Sequence, residues 1–223
     1  MSELLESIEM HISSNRDYYD ELERKISQNI EGRCCHHKVE VISALLENTE
    51  NISTYLEIGV HNGTSMSYAV STSKPINCYG IDLFEESRHP GSNAQAYWTK
   101  DGIHMERTRK NILSNNASNS TVVLLKGDST AQKTYDSLLN ELGNQQVDLL
   151  FIDGNHQYEY VKKDFNRYSE LVRPGGFVIL DDYEPKYPGI LKFAKEIDSN
   201  KYERLGVYRN NELILMKKGN VKT

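Results

Sequence analysis

From Thr54 onward, short runs rich in β-branched and aromatic residues alternate with stretches of helical spacing. The runs are Tyr55–Gly59, Cys78–Leu83, Thr121–Lys126, Val147–Asp153 and Gly176–Asp181. Between them lie Thr64–Ser71, His104–Ser114, Ala131–Leu142 and Gln157–Leu171, which carry apolar residues at helical intervals. Strands that alternate with helices form βαβ units, so this chain is expected to build an α/β fold around a parallel sheet. The end departs from the pattern. Leu205–Tyr208 and Glu212–Lys217 flank Arg209-Asn210-Asn211, a hairpin-sized gap with turn-forming Asn. These two runs are expected to be antiparallel to each other. A helix is expected near Gly189–Ile197, just after Pro188. Upstream, Leu4, Ile8 and Ile12 form one helical stripe within residues 2–31, and Tyr18, Leu22, Ile26 and Ile30 form another. Gly32 breaks that run, and Val39, Ile42, Leu45 and Leu46 predict a helix ending near Asn48. The expected division is a helical extension over 1–50 and a single larger domain over 51–223.

Composition narrows the function. The 26 Lys and Arg against 32 Asp and Glu give a formal net charge of −6. That balance argues against a protein that holds nucleic acid by neutralising phosphates. No window approaches the roughly 18 apolar residues of a membrane span. The N-terminus alternates acids with apolar residues and lacks the basic start of a signal peptide, so the chain reads as cytoplasmic. Three cysteines imply no disulfide framework. Cys34-Cys35-His36-His37 has zinc-ligand residue types, but four adjacent residues do not readily surround a tetrahedral ion. It reads better as a connection between helices. Phe84–Ile103 is long, polar and turn-rich, the signature of a functional or disordered loop. Its Tyr97 and Trp98 are either anchors for the loop or lid rings that stack on a substrate.

Three signals fall at carboxyl ends of the expected strands, where open parallel sheets bind ligands. The first is Glu57-x-Gly59-x-x-x-Gly63, a strand, a Gly-rich turn and a helix start with Thr64 and Ser65 as caps. It is neither the G-x-G-x-x-G fingerprint nor the phosphate loop, since no Lys follows Gly63. The second is Asp82, placed to accept ribose hydroxyls of a nucleoside ligand. The third is Gly127-Asp128-Ser129, placed to meet an adenine edge, with Asp128 as a plain helix cap the simpler alternative.

Together with Pro174-Gly175-Gly176 and the closing hairpin, these residues resemble class I S-adenosylmethionine-dependent methyltransferases over residues 50–218. The resemblance implies a Rossmann-like methyltransferase fold. Its seven-stranded sheet would have the order 3-2-1-4-5-7-6, with strand 7 antiparallel. It also implies that Glu57, Gly59 and Gly63 flank the methionine part of S-adenosylmethionine, that Asp82 holds the ribose, and that Asp128 and Ser129 face adenine.

A further cluster lies downstream. Phe151-Ile-Asp153-Gly-Asn155-His156 closes the fourth run, and Leu180-Asp181-Asp182-Tyr183 closes the fifth. If the two strands are neighbours, their ends lie about 4.8 Å apart and three carboxylates converge. Such a group needs protons or a cation, and hard oxygen donors suit Mg²⁺, Mn²⁺ or Ca²⁺. Consecutive strand residues point to opposite faces, so Asp181 and Asp182 reach one ion only if the chain leaves strand geometry there. Otherwise one of them supports the site from behind. His156, beside this cluster, can take a proton from a hydroxyl.

This arrangement resembles the metal-dependent macrocin and mycinamicin-type sugar O-methyltransferases. The resemblance implies Asp153, Asp181 and Asp182 as Mg²⁺ ligands. Asp153 and His156 are the catalytic pair, with His156 as general base, and Asp153 also borders the cofactor. Catechol-type enzymes usually carry Asp-Asn where this chain has Asp181-Asp182. The expected activity is therefore methyl transfer to a hydroxyl of a sugar or glycan, in a homodimer, with no nucleic-acid or membrane partner. Asp101 and Arg107 are lesser candidates for hydroxyl contacts. A non-sugar acceptor, catechol-like or polyketide, is the main alternative. A nicotinamide-dependent dehydrogenase and a non-catalytic module are the others.

Overall fold

The computed structural model describes residues 2–31, 39–84, 104–209 and 211–219. Its strands are β1 (Thr54–Ile58), β2 (Asn77–Asp82), β3 (Thr121–Lys126), β4 (Val147–Ile152), β5 (Val172–Leu180), β6 (Tyr202–Tyr208) and β7 (Glu212–Lys217). They form one sheet of order β3-β2-β1-β4-β5-β7-β6. The first five pair in parallel, and β7 is antiparallel to both β5 and β6. The helices are α1 (Glu3–Ser14), α2 (Arg16–Asn29), α3 (Glu40–Asn48), α4 (Thr64–Val70), α5 (Met105–Leu113), α6 (Gln132–Leu142), α7 (Tyr158–Tyr168) and α8 (Pro188–Ala194). The fold class and strand order expected from the sequence are those found.

Every residue of β1 and β4 is buried, as a parallel sheet covered on both faces requires. Alternate residues then feed two cores. Tyr55, Phe151 and Ile179 pack with the apolar stripes of α1 to α4 on one face. Leu56, Leu150 and Val178 pack with α6, α7 and α8 on the other. Among the described residues, no helix is long and apolar enough to cross a membrane.

Element ends differ from expectation for local reasons. The helical run over 2–31 is two helices that meet at Asn15, whose side-chain Nδ2 donates to the His11 carbonyl (2.8 Å). Such a bond competes with the helical ladder. β5 starts at Val172, not Gly176, and so includes Pro174-Gly175-Gly176. Its pairing with β4 jumps from Val147↔Val172 to Leu149↔Phe177, so the Pro-Gly segment bulges out of the ladder. β6 begins at Tyr202, three residues before the expected run, through exposed Glu203 and Arg204. Charged residues of this kind are usual on an edge strand and hide it from pattern reading. α7 gives way at Ser169–Leu171 to a 3₁₀ turn. Cys34, Cys35, His36, His37, Tyr97, Trp98, Asp101 and Asn210 lie outside the described residues, while Arg107 lies on α5.

Candidate active site

The turn after β1 is built on two left-handed glycines, Gly59 (φ 90°) and Gly63 (φ 86°). A Cβ on Gly59 would lie 2.1 Å from the Asp153 carbonyl oxygen. Only glycine therefore lets this turn touch the loop after β4, which brings the first of the strand-end signals and the downstream Asp153 cluster side by side. Glu57 is fully buried beneath the turn. Its carboxyl accepts hydrogen bonds from Tyr55 Oη (2.8 Å) and from the Ser65 hydroxyl. Burial pushes its pKa up to about 8, against the pull of those two hydroxyls.

Asp82 braces the same turn. One carboxylate oxygen accepts the backbone N–H groups of Val60 and His61 (2.8 Å each), and the other accepts that of Phe84 (2.9 Å). A carboxylate has about four acceptor sites, so three are filled and one remains. Asp128 likewise bends its own loop, accepting from Thr130 N and Thr130 Oγ1 (2.8 Å each). It does not cap α6, whose N-cap is Ala131. Ser129 is gripped from α7: its carbonyl accepts from Tyr168 Oη (2.7 Å) and Arg167 Nη1 (3.1 Å).

Asp164, also on α7, is buried, and Ser129 is close enough to pull its pKa down against that burial. Burial pushes its pKa up to about 7. Sequence reading missed Asp164, although an acid within the apolar stripe Val161, Phe165, Tyr168 is a visible signal.

The carboxyl ends of β4 and β5 carry the remaining candidates. Asp153, His156 and Asp182 each offer a donor atom within 4.8 Å of the others. His156 Nε2 lies 3.1 Å from Asp182 Oδ2 and 3.5 Å from Asp153 Oδ1, and it has no hydrogen-bond partner among the described residues. The Tyr187 ring covers the imidazole at 4.3 Å between centroids. Asp182 has a left-handed backbone (φ 54°), so the chain does leave strand geometry where two adjacent aspartates must serve one site. The pairing shows how. Leu180 pairs with Leu213, yet Tyr183 N bonds the Asn211 carbonyl (2.7 Å), so Asp182 is an extra residue in the ladder. Asp181 lies outside the donor trio. Its Oδ1 accepts from Asn211 Nδ2 (3.0 Å), and it lines, with Asp153, Val60, His61 and Ser65, a cavity of about 30 Å³.

Electrostatics fit a cation. Burial first, then Asp182 and Asp82, hold the Asp153 carboxyl well above the usual carboxylate range. Burial, Asp153 and Asp182 do the same to Asp181. Burial lowers the His156 pKa, against Asp182 and Asp181, which raise it. Hard oxygen donors crowded in this way match a divalent cation such as Mg²⁺.

The raised carboxyls also set a pH dependence. Between the ordinary pKa and the raised one, the native state holds a proton that the unfolded chain has released. Stability then falls as pH rises, from about 4.5 to about 8 for Glu57 and from about 3.8 to about 7 for Asp164. Thermal melts of cation-free protein should give a higher Tm at pH 5 than at pH 8. An equal or higher Tm at pH 8 would mean that these groups are ionised in the fold.

Comparison with known proteins agrees with this fold. An uncharacterized protein of Acanthamoeba polyphaga mimivirus is 31% identical over 198 residues, covering 83% of this chain and 82% of its own. MycE methyltransferase of the mycinamycin biosynthetic pathway, solved with Mg, S-adenosylhomocysteine and mycinamycin VI, superposes with a TM-score of 0.56 at 17% identity. The match covers 92% of this chain and 55% of MycE. CalS11, a TDP-rhamnose 3′-O-methyltransferase of calicheamicin biosynthesis, gives 0.54 at 14% identity over 88% of this chain and 93% of its own. At these identities the two structures share the fold. A family model described as a methyltransferase domain matches residues 56–183, from the middle of β1 to just past Asp182, and the chain belongs to that family of class I S-adenosylmethionine-dependent methyltransferases.

Proposed function

We propose that the chain is an O-methyltransferase that transfers the methyl group of S-adenosylmethionine to a hydroxyl of a sugar or glycan, with Mg²⁺ (or Mn²⁺ or Ca²⁺) as its cation. The observation that carries this reading is the trio Asp153, His156 and Asp182 beside the Gly59–Gly63 turn. Its sugar component is supported by CalS11, and its cation by MycE.

Glu57 and the Gly59–Gly63 turn border the methionine part of the cofactor. Asp82 has one acceptor site left for a ribose hydroxyl, and the Asp128–Ser129 turn borders the adenine. Asp153 and Asp182 hold the cation, with Asp181 behind them. When bound, the cation supplies Lewis acidity and a template for the acceptor hydroxyls, and the cofactor supplies an electrophilic methyl. His156, kept neutral by burial, accepts the hydroxyl proton at Nε2. The imidazolium so formed is stabilised by Asp182 Oδ2 at 3.1 Å. Tyr187 fixes the ring plane while this happens.

The test uses the full chain, methyl-labelled cofactor and a panel of nucleotide sugars, free sugars and catechols. Label should enter a sugar, stop in excess EDTA and resume with Mg²⁺. His156→Ala should lower kcat by about 10²–10⁴-fold, the usual contribution of a general base, and leave S-adenosylhomocysteine binding intact. Full activity in EDTA removes the cation, and label in catechol alone removes the sugar.

A further inference from the structure

The start of β7 carries an acid that the site described above does not use. β5 and β7 pair as Phe177↔Met216, Val178↔Leu215, Ile179↔Ile214 and Leu180↔Leu213. The next step of that register sets Glu212 opposite Asp181. Residues directly opposite on antiparallel strands share a face, and like charges there are destabilising. Both residues are buried, Glu212 at 2% exposure and Asp181 at 2%. Among the described residues, Glu212 Oε2 has no hydrogen-bond partner.

Arg209 offsets part of this charge, but its hydrogen bond goes to another acid. Arg209 Nη2 (2.6 Å) and Arg16 Nη1 (3.2 Å) both donate to Glu40 Oε1. Burial first, then Asp181 and Glu40, push the Glu212 carboxyl towards its protonated form against the pull of Arg209, and Glu212 in turn raises Asp153. A buried carboxyl pair with an unpartnered oxygen needs a proton or a cation between its members. The nearest place for a cation is the Asp153–Asp182 trio.

We propose that Glu212 is the rear carboxylate of the cation site, a positioning residue that acts through Asp181 to strengthen cation binding. The inference rests on the cation reading above. Glu212 stands outside the donor trio and touches the ion only through its field on Asp181 and Asp153. Sequence reading missed it because it lies 30 residues beyond Asp182, on a strand recognised only as half of a hairpin. The antiparallel register alone brings it back to the site.

Mn²⁺ binding by the full chain, followed by electron paramagnetic resonance, tests this without turnover. Glu212→Gln keeps shape and cannot give up a proton, so it removes the charge that a cation would draw out at this position. It should weaken Mn²⁺ binding by about tenfold or more, as expected when one charge behind a divalent ion is lost. Glu212→Asp keeps the charge and should stay within about threefold of the parent, which a role in packing alone would not give. S-adenosylhomocysteine affinity should be unchanged in both. If the parent binds Mn²⁺ and Glu212→Gln binds it equally well, Glu212 is only half of a proton-sharing pair and the inference falls. If the parent binds no Mn²⁺ at millimolar concentration, the cation reading itself falls. Should Glu212→Gln fail to fold, the Glu212→Asp titration decides, since weakening by tenfold there also overturns the proposal.

Discussion

Asp153→Ala is expected to take methyl transfer below detection, a loss of at least about 10³-fold, the upper range for deleting one group aimed at developing charge. The backbone of Asp153 does separate work. Its N–H donates to the Ile58 carbonyl (2.8 Å), and its carbonyl meets Gly59. Alanine keeps both contacts, so S-adenosylhomocysteine binding should persist within a few-fold. The carboxyl also raises the energy of the cation-free fold, because burial and Asp182 oppose its charge. Its removal should leave Tm unchanged or higher, the usual sign of a group retained for function at a cost in stability. Labelled transfer, calorimetric binding and a thermal melt on one preparation check all three statements. A variant that loses binding and activity together would make Asp153 a structural residue.

Gly59→Ala should have an effect of similar size through binding. The new methyl group would stand 2.1 Å from the Asp153 carbonyl oxygen and 2.9 Å from Gly154 N, at a backbone angle of φ 90° that alanine avoids. Both obstacles are backbone and cannot rotate away. The turn must move off the β4 loop, which parts the cofactor's expected bed from the Asp153, His156 and Asp182 trio. Affinity for S-adenosylhomocysteine should fall by more than about 100-fold, equivalent to roughly 3 kcal/mol. Backbone strain of about 1–3 kcal/mol lowers Tm by roughly 2–4 °C per kcal/mol in a chain of this size. Unaltered cofactor affinity would mean that the turn is not part of the cofactor site.

Much of this was legible in the sequence, because the informative residues sit at strand ends. Alternation of short apolar runs with helical stretches pointed to the parallel sheet. Glu57, Gly59, Gly63, Asp153 and His156 were named as site residues, and they meet in space because β1 and β4 are neighbours. What stayed hidden depends on register and on backbone competition. Nothing in Asp182 itself announces a left-handed residue that adds one step to a ladder. Glu212 reaches the site only through the pairing of β7 with β5. Asp82 looked like a ribose acceptor, but three N–H groups of nearby loops already point at it. The contest for its lone pairs is a property of the folded loops.

The additional residue at Asp182 works as a change of phase. A strand counts its side chains in twos, so adjacent acids would ordinarily belong to opposite halves of the molecule. One left-handed step resets that count, and Tyr183 N then bonds the Asn211 carbonyl in the new phase. Loss of a single residue here would therefore do more than subtract a carboxylate. It would put Tyr183 out of phase with β7 and displace the turn that sets the Tyr187 ring against His156.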